Sequence, residues 1–477
     1  MAGQKARAAR PFARAGLAVA VAAASLASPS AGAPRSAAER TAAEFLRVFN
    51  NGDRSAYDSF LRSRWPAFKG GDEFAQMRDQ TGGYVLVRTG RVANDEVREV
   101  VKSRLADDYW SFDVRLADQL DGKIQSLEFT PVERPADVPP PGRVPPAAIA
   151  RLADREISAL GDFSGVVAVA VNGRPIYARA AGLADRERGI PNTVETRFGM
   201  ASMGKMFTAV AILQLVQAGK VDLDAAIGTY IKDYPNAEFA RTVTVRELLT
   251  HTGGAGDFFS KLWADNLDHL KTPADYVALF GSRAPEFKPG SRFSYANYGF
   301  IVLGRVVEKV SRQPFDEYLQ SNVFAPAHMT RTSLHAVGPR LVTALTYVKD
   351  GYPAPPAAFL SRPTLDATPA GGAFATAPDM LAFAVALTGH RLLDSAHTQM
   401  LFTPQVQGDS GPDGLGFQIF SQDGVGEVGH EGGGPGENGG FRILAGGKAT
   451  VIVLSNVAPS WRGDKLCAYI SARLSVD

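Results

Sequence analysis

One stretch decides the fold: Ser202-Met203-Gly204-Lys205, followed by the apolar run Met-Phe-Thr-Ala-Val-Ala-Ile-Leu up to position 213. The run continues to Gly219 and predicts an apolar helix that ends there. Residues i and i+3 share a helix face, so the Ser202 hydroxyl and the Lys205 amine can meet at the helix N-terminus, where free amides favour negative charge. A buried ammonium can lose its proton near neutral pH, which would make Lys205 a base for Ser202.

A second group of candidates, Tyr295-Ala296-Asn297, follows the turn sequence Lys288-Pro-Gly and precedes a predicted helix. A lysine ammonium beside a tyrosine can lower the phenol pKa, which would let Tyr295 exchange protons with a nucleophile. Asn297 offers both a donor and an acceptor to a substrate amide.

The third group, His430-Glu431-Gly432-Gly433, follows a predicted strand at 424–429. Glycine at a strand edge lets a substrate backbone approach closely, and an exposed amide there can join the amide of Ser202 in binding an oxyanion. A metal site is not indicated, because no His-Glu-x-x-His occurs and the other six histidines are scattered. We expect neither a metal nor a cofactor.

In this order, with 93 residues from Ser202 to Tyr295 and 135 from Tyr295 to His430, the motifs resemble the serine hydrolases of the class C β-lactamase family. That family includes penicillin-binding DD-peptidases, D-aminopeptidases and β-lactamase-like carboxylesterases. Phrases at 248–254, 287–290 and 369–372 match as well, and the resemblance covers residues 162–456.

The resemblance implies a nucleophile, Ser202, with Lys205 as its proton partner and Tyr295 as general base and then acid. It implies a substrate-binding group made of Asn297, His430, Gly432 and Gly433. The amides of Ser202 and Gly433 would form the oxyanion hole, and the reaction would be acylation of Ser202 by an ester or amide, then hydrolysis. His251, in the phrase 248–254, is assigned a structural role, because Thr244 and Glu247 predict a capping box just before it.

The chain departs from the family at the third motif, which is His-Glu-Gly where β-lactam-active members have Lys-Thr-Gly. If Glu431 faces the cleft, it repels a substrate carboxylate; if it faces away, only the ammonium and the hydroxyl are lost. Both cases favour an esterase or peptidase over an efficient β-lactamase. The alternative is a non-catalytic module that kept this fold and binds peptidoglycan or peptide.

The flanking sequence predicts an α+β fold. Residues 147–477 are expected to form one antiparallel sheet with strands from both ends of the unit, flanked by helices, and an all-helical subdomain, a β-lactamase/transpeptidase-like arrangement. The elements predicted for it are helices at 147–160 and 465–474, a hairpin at 166–180 turning at Asn172-Gly173, and strands at 415–420, 441–444 and 450–454. Residues 36–133 predict a small cone-like α+β accessory domain with helices in 36–63 and strands at 84–92, 109–116 and 123–132. Residues 134–146 predict a linker, since six of the twelve residues 135–146 are proline.

Composition places the chain among ordinary soluble globular proteins, with 477 residues, 45% hydrophobic and 21% charged. The 51 basic and 49 acidic residues nearly cancel, which argues against a nucleic-acid partner. Residues 1–33 resemble a signal peptide, with cleavage after Ala27 or Ala33, so we expect export to the periplasm or medium and no membrane span afterwards. The single cysteine, Cys467, rules out an intrachain disulfide. The expected partner is a small ester, amide or peptide substrate, and the oligomeric state stays open.

Two short strings resemble unrelated signatures. Gly70–Phe74 spells the motif of diguanylate cyclases, and Gly408–Pro412 copies the nucleophile loop of chymotrypsin-like proteases. We interpret the first as a helix start and the second as a solvent loop, because the sequence around each lacks the fold that the signature needs.

Overall fold

The computed structural model describes residues 36–66, 68, 77–78, 81–105, 108–118, 122–160, 163–335, 342–348, 368–409, 411–422, 424–434, 436–458 and 462–476. The predicted signal peptide and the string Gly70–Phe74 lie outside the described residues.

The N-terminal unit is a four-stranded antiparallel sheet, in the order β1-β2-β3-β4, packed against two helices. Its elements are α1 (Ala37–Asn51), α2 (Arg54–Arg64), β1 (Tyr84–Val92), β2 (Glu96–Ser103), β3 (Tyr109–Asp118) and β4 (Lys123–Val132). The predicted helices and three strands are confirmed, and the side chain of Asp53 caps the start of α2. Strand β2 was not predicted, because half of its residues are charged and Val97 and Val101 are its only buried apolar residues.

Aromatic side chains form the core of the N-terminal unit. Phe45 of α1 contacts the rings of Phe49, Tyr57, Phe60, Phe112 and Phe129. Helices and sheet are joined mainly through these rings, whose burial and edge or offset contacts both stabilise the unit.

The C-terminal unit combines a large sheet with helices. Its helices are α3 (Pro146–Leu160), α4 (Lys205–Gln217), α5 (Ala237–Thr242), α6 (Val245–Leu249), α7 (Lys261–Asp265), α8 (Pro273–Phe280), α9 (Asn297–Ser311), α10 (Phe315–Leu319), α11 (Ala377–Thr388), α12 (Ser395–Phe402) and α13 (Arg462–Arg473). Its strands are β5 (Gly165–Val171), β6 (Arg174–Ala181), β7 (Leu183–Asp185), β8 (Ile190–Pro191), β9 (Phe198–Gly199), β10 (Tyr347–Val348), β11 (Phe374–Ala375), β12 (Val406–Gln407), β13 (Pro412–Asp413), β14 (Gln418–Gln422), β15 (Val425–Gly434), β16 (Glu437–Leu444), β17 (Ala449–Ser455) and β18 (Val457–Ala458).

Eight strands form one antiparallel sheet in the order β12-β13-β14-β15-β16-β17-β5-β6. Strand β17 pairs with β5 from Ala449↔Val171 to Ser455↔Gly165, which confirms a sheet built from both ends of the unit. Alternate residues of these strands face opposite sides of the sheet. Val167 and Val451 pack with α3 and α13, while Ala168 packs in the larger core that contains α4.

The predicted hairpin and its turn are confirmed, since Asn172 and Gly173 have φ of 49° and 72° between β5 and β6. Two predicted boundaries are wrong. Strand β14 begins at Gln418 rather than at 415, and β15 extends to Gly434, so the third motif lies inside the strand instead of after it. The glycines of this motif continue the strand, because the neighbouring strand β16 pairs with them.

The two units meet beside α13. Leu105 of the N-terminal unit is buried with residues of α3 and α13, and Asp108 pairs with Lys465 at 3.3 Å. The proline-rich segment joins this region as well, because the Val144 N–H donates to the carbonyl of Arg473 at 2.6 Å.

Among the described residues, no helix has the length and apolar character that a bilayer crossing requires.

Replacing Phe45 by Ala should lower the free energy of unfolding of the N-terminal unit by about 3–5 kcal/mol, since it deletes a buried ring from the centre of the cluster. Denaturant unfolding followed by fluorescence measures this loss. Val85→Ala is the control, because Val85 lies on β1 of the same unit and 51% of it is exposed. Equal stability of the two variants would contradict the assigned core.

Candidate active site

Ser202 lies on a tight turn between the sheet and the central helix. The turn Ala201–Gly204 is a single 3₁₀ segment, and α4 begins directly after it at Lys205. Ala201 has a φ of 42°, a left-handed conformation that costs free energy for a residue with a Cβ. Such strain persists where surrounding contacts fix the chain, and here it places Ser202 at the start of a buried helix.

Lys205 is fully buried, and three oxygen atoms surround its amine. The Nζ donates to Asn297 Oδ1 at 2.7 Å and to the carbonyl of Ala370 at 2.5 Å, and it lies 3.3 Å from Ser202 Oγ. Burial lowers the pKa of Lys205 to about 7, although the charge of Asp257 opposes the shift. The amine therefore has a neutral form near physiological pH that can accept a proton from Ser202.

Tyr295 lies against the amine of Lys205. Its ring centre is 4.8 Å from Lys205 Nζ, and the Ser202 hydroxyl is among the groups that influence the pKa of its phenol. The predicted lowering of its pKa is wrong: burial raises the pKa of Tyr295 well above its usual value, and Asp257 and Asp413 add to the rise. Although 36% of the residue stays exposed at the cleft, the phenol remains protonated, so it is equipped to donate a proton.

His251 supports Tyr295. The two rings stack with centres 4.3 Å apart, and His251 Nδ1 accepts the N–H of Ala296 at 3.1 Å. Burial lowers the pKa of His251 well below its usual range, so the ring is neutral. The predicted capping box of Thr244 and Glu247 is confirmed and precedes this residue.

Asn297 joins Lys205 to a residue that the sequence analysis missed. Its Nδ2 donates to Asp257 Oδ2 at 2.8 Å, while its Oδ1 receives Lys205. Asp257 lies just after the phrase 248–254 in a glycine-containing loop. No periodicity or catalytic spacing marks an aspartate there, so its position beside Asn297 emerges only in three dimensions.

Strand β15 brings the third motif against the nucleophile turn. A Cβ added to Gly432 would lie 2.7 Å from the carbonyl oxygen of Met200, so glycine is needed at this approach. His430 is buried on the same face of β15 as Gly432. Burial and the charge of the nearby Lys205 both lower the pKa of its imidazole, to about 3. Its Nδ1 donates to the carbonyl of Glu431 at 2.5 Å, which leaves a neutral ring in the place that the resemblance assigns to a lysine. Gly433, one residue on, is exposed.

Glu431 points away from the cleft. Its carboxylate pairs with Arg442, which also binds Glu427 at 3.2 Å, on the face of the sheet opposite His430. Of the two orientations left open by the sequence, the structure therefore selects the second. The motif loses an ammonium and a hydroxyl without placing the Glu431 charge at the substrate.

A cavity of about 130 Å³ adjoins Tyr295. It is lined by Phe293, Tyr295, Asp409, Gly411, Pro412, Asp413, Gln418, Ile419 and Phe420. Burial and the neighbouring Asp409 raise the pKa of Asp413 to about 7. The loop that was interpreted as solvent-facing thus lines the site, although Ser410 itself lies outside the described residues.

Within the described part of the chain, no cluster of three or more His, Cys, Asp or Glu side chains is arranged to hold a metal ion. The residues that the structure brings together are Ser202, Lys205, Tyr295, Asn297 and Asp257, with His430 and Gly432 on the adjoining strand.

Comparison with known proteins identifies the family of the C-terminal unit. Residues 153–473 match the Beta-lactamase family. Penicillin-binding protein 4 of Amycolatopsis lactamdurans is 32% identical over 61% of this chain and 80% of its own length. Esterase EstB of Burkholderia gladioli is 34% identical over 40% of this chain and 51% of its own. The crystal structure of a penicillin-binding protein from Bacillus halodurans superimposes with a TM-score of 0.60 and 35% identity, covering 67% of this chain and 98% of that one.

Gly432→Ala should slow modification of Ser202 by a fluorophosphonate, a reagent for activated serines, on the order of 100-fold. The new methyl group would push β15 away from the nucleophile turn, and misplacement near 1 Å is enough for such a loss. Gly426→Ala is the matched control, because a Cβ at Gly426 of the same strand has nothing within 4 Å. Similar rates for both variants would refute the close-approach argument.

The same labelling rate should depend on pH through Lys205. Below the Lys205 pKa of about 7 the amine is protonated, so the rate should rise about tenfold per pH unit and level off above it. Lys205→Arg should remove this inflection, because a guanidinium stays protonated throughout the range. Survival of the inflection in that variant would assign it to another group.

Proposed function

The chain belongs to the β-lactamase family and is a serine hydrolase, and from this premise we propose that it is an exported enzyme that cleaves an ester or amide through an acyl group on Ser202. Its preference is that of an esterase or peptidase rather than of an efficient β-lactamase. The observation that carries the proposal is the contact of the Ser202 hydroxyl with a fully buried amine, which itself lies against the ring of Tyr295. Export rests on the signal-like segment 1–33.

Acylation begins with the neutral amine of Lys205, which takes the Ser202 proton as Oγ bonds to the substrate carbonyl carbon. The oxyanion is bound by two backbone amides, that of Ser202 on the nucleophile turn and that of Gly433 on strand β15. Tyr295 then donates its proton to the leaving oxygen or nitrogen as that bond breaks, and Lys205 passes the serine proton to Tyr295. The raised pKa of Tyr295 favours this acid role over the role of first base.

Deacylation uses the same groups in the reverse direction. Water attacks the acyl carbon and gives one proton to Tyr295 and Lys205, which act together as the proton acceptor. That proton returns to Ser202 Oγ as the acyl–oxygen bond breaks, which releases the acid and restores the enzyme.

The charges around the cleft support a preference against β-lactams, whose recognition involves a carboxylate. His430 is neutral where an ammonium is expected, and Glu431 is paired with Arg442 on the opposite face. Asp409 and Asp413 line the cavity beside Tyr295. A neutral ester or amide meets none of this unfavourable charge.

A purely binding role would not need this chemistry. A peptide-binding module could keep the cleft and its glycines, but it gains nothing from a buried lysine amine held against a serine hydroxyl. Burying an amine in this way costs free energy, which is consistent with a catalytic use.

Ser202→Ala should abolish hydrolysis of p-nitrophenyl butyrate by the protein without residues 1–33, because it removes the oxygen that carries the acyl group in the proposed reaction. A chromogenic cephalosporin should remain nearly inert with the unaltered enzyme. Ser291→Ala is the control, since Ser291 is exposed on the loop before Tyr295. Ester hydrolysis that persists in Ser202→Ala, or efficient turnover of the cephalosporin, would overturn the corresponding part of the proposal.

A further inference from the structure

The oxygen and the nitrogen of the Asn297 side-chain amide have different hydrogen-bond partners. Its oxygen accepts a hydrogen bond from Lys205 Nζ at 2.7 Å, and its nitrogen donates to Asp257 Oδ2 at 2.8 Å. The oxygen and nitrogen of an asparagine are nearly equal in shape, so packing alone does not distinguish the two orientations. A hydrogen-bond partner of fixed character is needed to select one.

The orientation matters because a neutral amine has two N–H groups and one lone pair. Asn297 Oδ1 and the carbonyl of Ala370 accept hydrogen bonds from Lys205, which accounts for both N–H groups. The lone pair is then left for Ser202 Oγ, 3.3 Å away. If Asn297 turned its NH₂ towards Lys205, that NH₂ would occupy the lone pair that has to accept the serine proton.

Asp257 is built to prevent this rotation. Its Oδ1 accepts the N–H groups of Phe258 and Phe259 at 2.7 and 3.2 Å, so its Oδ2 is directed at Asn297. Its backbone carbonyl is held by Arg283 Nη1 at 2.5 Å. Both carboxylate oxygens are thus engaged within the chain, although the residue lies exposed at the rim of the cleft.

We propose that Asp257 is a positioning residue, which holds the amide oxygen of Asn297 towards Lys205 and so keeps the lysine lone pair available to Ser202. This inference rests on the proposed function, since it assigns Asp257 to the same reaction. Asp257 acts through Asn297 and makes no contact with the reacting atoms.

Asp257 also sets the charge that Lys205 experiences. The other titratable side chains facing Lys205 are Tyr295, protonated, and His251 and His430, both neutral. The Asp257 carboxylate raises the pKa of Lys205 against the larger effect of burial. Removing its charge should therefore lower the Lys205 pKa and move the acid limb of the rate profile to lower pH.

Asp257→Asn tests both effects with little change in shape. The introduced amide keeps an oxygen for Phe258 and Phe259 and presents an NH₂ to Asn297, which favours the wrong orientation of Asn297. We expect fluorophosphonate labelling of Ser202 and ester hydrolysis to slow on the order of 10- to 100-fold, with the acid limb displaced to lower pH. Asp265→Asn is the control, because it removes the same charge from α7, where Asp265 pairs with Lys261.

A double-mutant cycle separates positioning from general damage. If Asp257 acts through Asn297, adding Asp257→Asn to Asn297→Ala should cause little further loss, whereas independent effects would multiply. Multiplying losses, or an acid limb that does not move in Asp257→Asn, would overturn the inference.

An activity-independent measurement distinguishes this inference from the proposed function. In Ser202→Ala, NMR titration of labelled lysine side chains gives the Lys205 pKa, and the Asn297 NH₂ signals report its hydrogen bond. Adding Asp257→Asn should lower that pKa and shift those signals; no change in either would refute the role of Asp257. If the unaltered enzyme showed neither labelling nor ester hydrolysis, the proposed function would fail, while this titration would still decide the hydrogen-bond arrangement.

Discussion

The buried amine of Lys205 is the constraint on which the rest of the site depends. Of its three oxygen neighbours, Ser202 lies on the adjoining nucleophile turn, while Asn297 at the start of α9 and Ala370 come from distant parts of the chain. An amine removed from water is costly unless its polar atoms are satisfied, so these segments have to be held together by the surrounding fold. Helix α4 meets this need by burying the whole run from Lys205 to Leu213 in the main core.

Close backbone approach is the second requirement. A Cβ at Gly371 would lie 2.4 Å from the carbonyl of Ala201, and one at Gly432 would be nearly as close to Met200. The backbones at Gly371 and Gly432 therefore lie so close to the nucleophile turn that a residue with a Cβ would not fit at either position. These contacts fix the strained conformation at Ala201 and make the orientation of Ser202 independent of any flexible side chain.

Local patterns predicted much of the molecule, because they reflect local physics. The capping box at Thr244, the turn at Asn172-Gly173 and the apolar run after Lys205 each specify their own backbone conformation. Asp257 and the loop at Asp409 could not be found in this way, because their importance comes from neighbours distant in the chain. The error over the Tyr295 pKa has a related cause. The motifs placed a lysine ammonium beside Tyr295, but burial lowers the pKa of Lys205 and raises that of Tyr295, so neither group is charged as expected.

The same burial moves the two proton-transfer groups in opposite directions. Desolvation disfavours whichever form is charged, so it lowers the pKa of an amine and raises that of a phenol. Near neutral pH the amine of Lys205 thus has a free lone pair, while Tyr295 keeps its proton. The same burial consequently supplies a base and an acid next to each other at the nucleophile, and neither group needs an ion-pair partner to take its role. The neutral rings of His251 and His430 complete this arrangement, because any fixed positive charge there would favour phenolate and blur the division between base and acid.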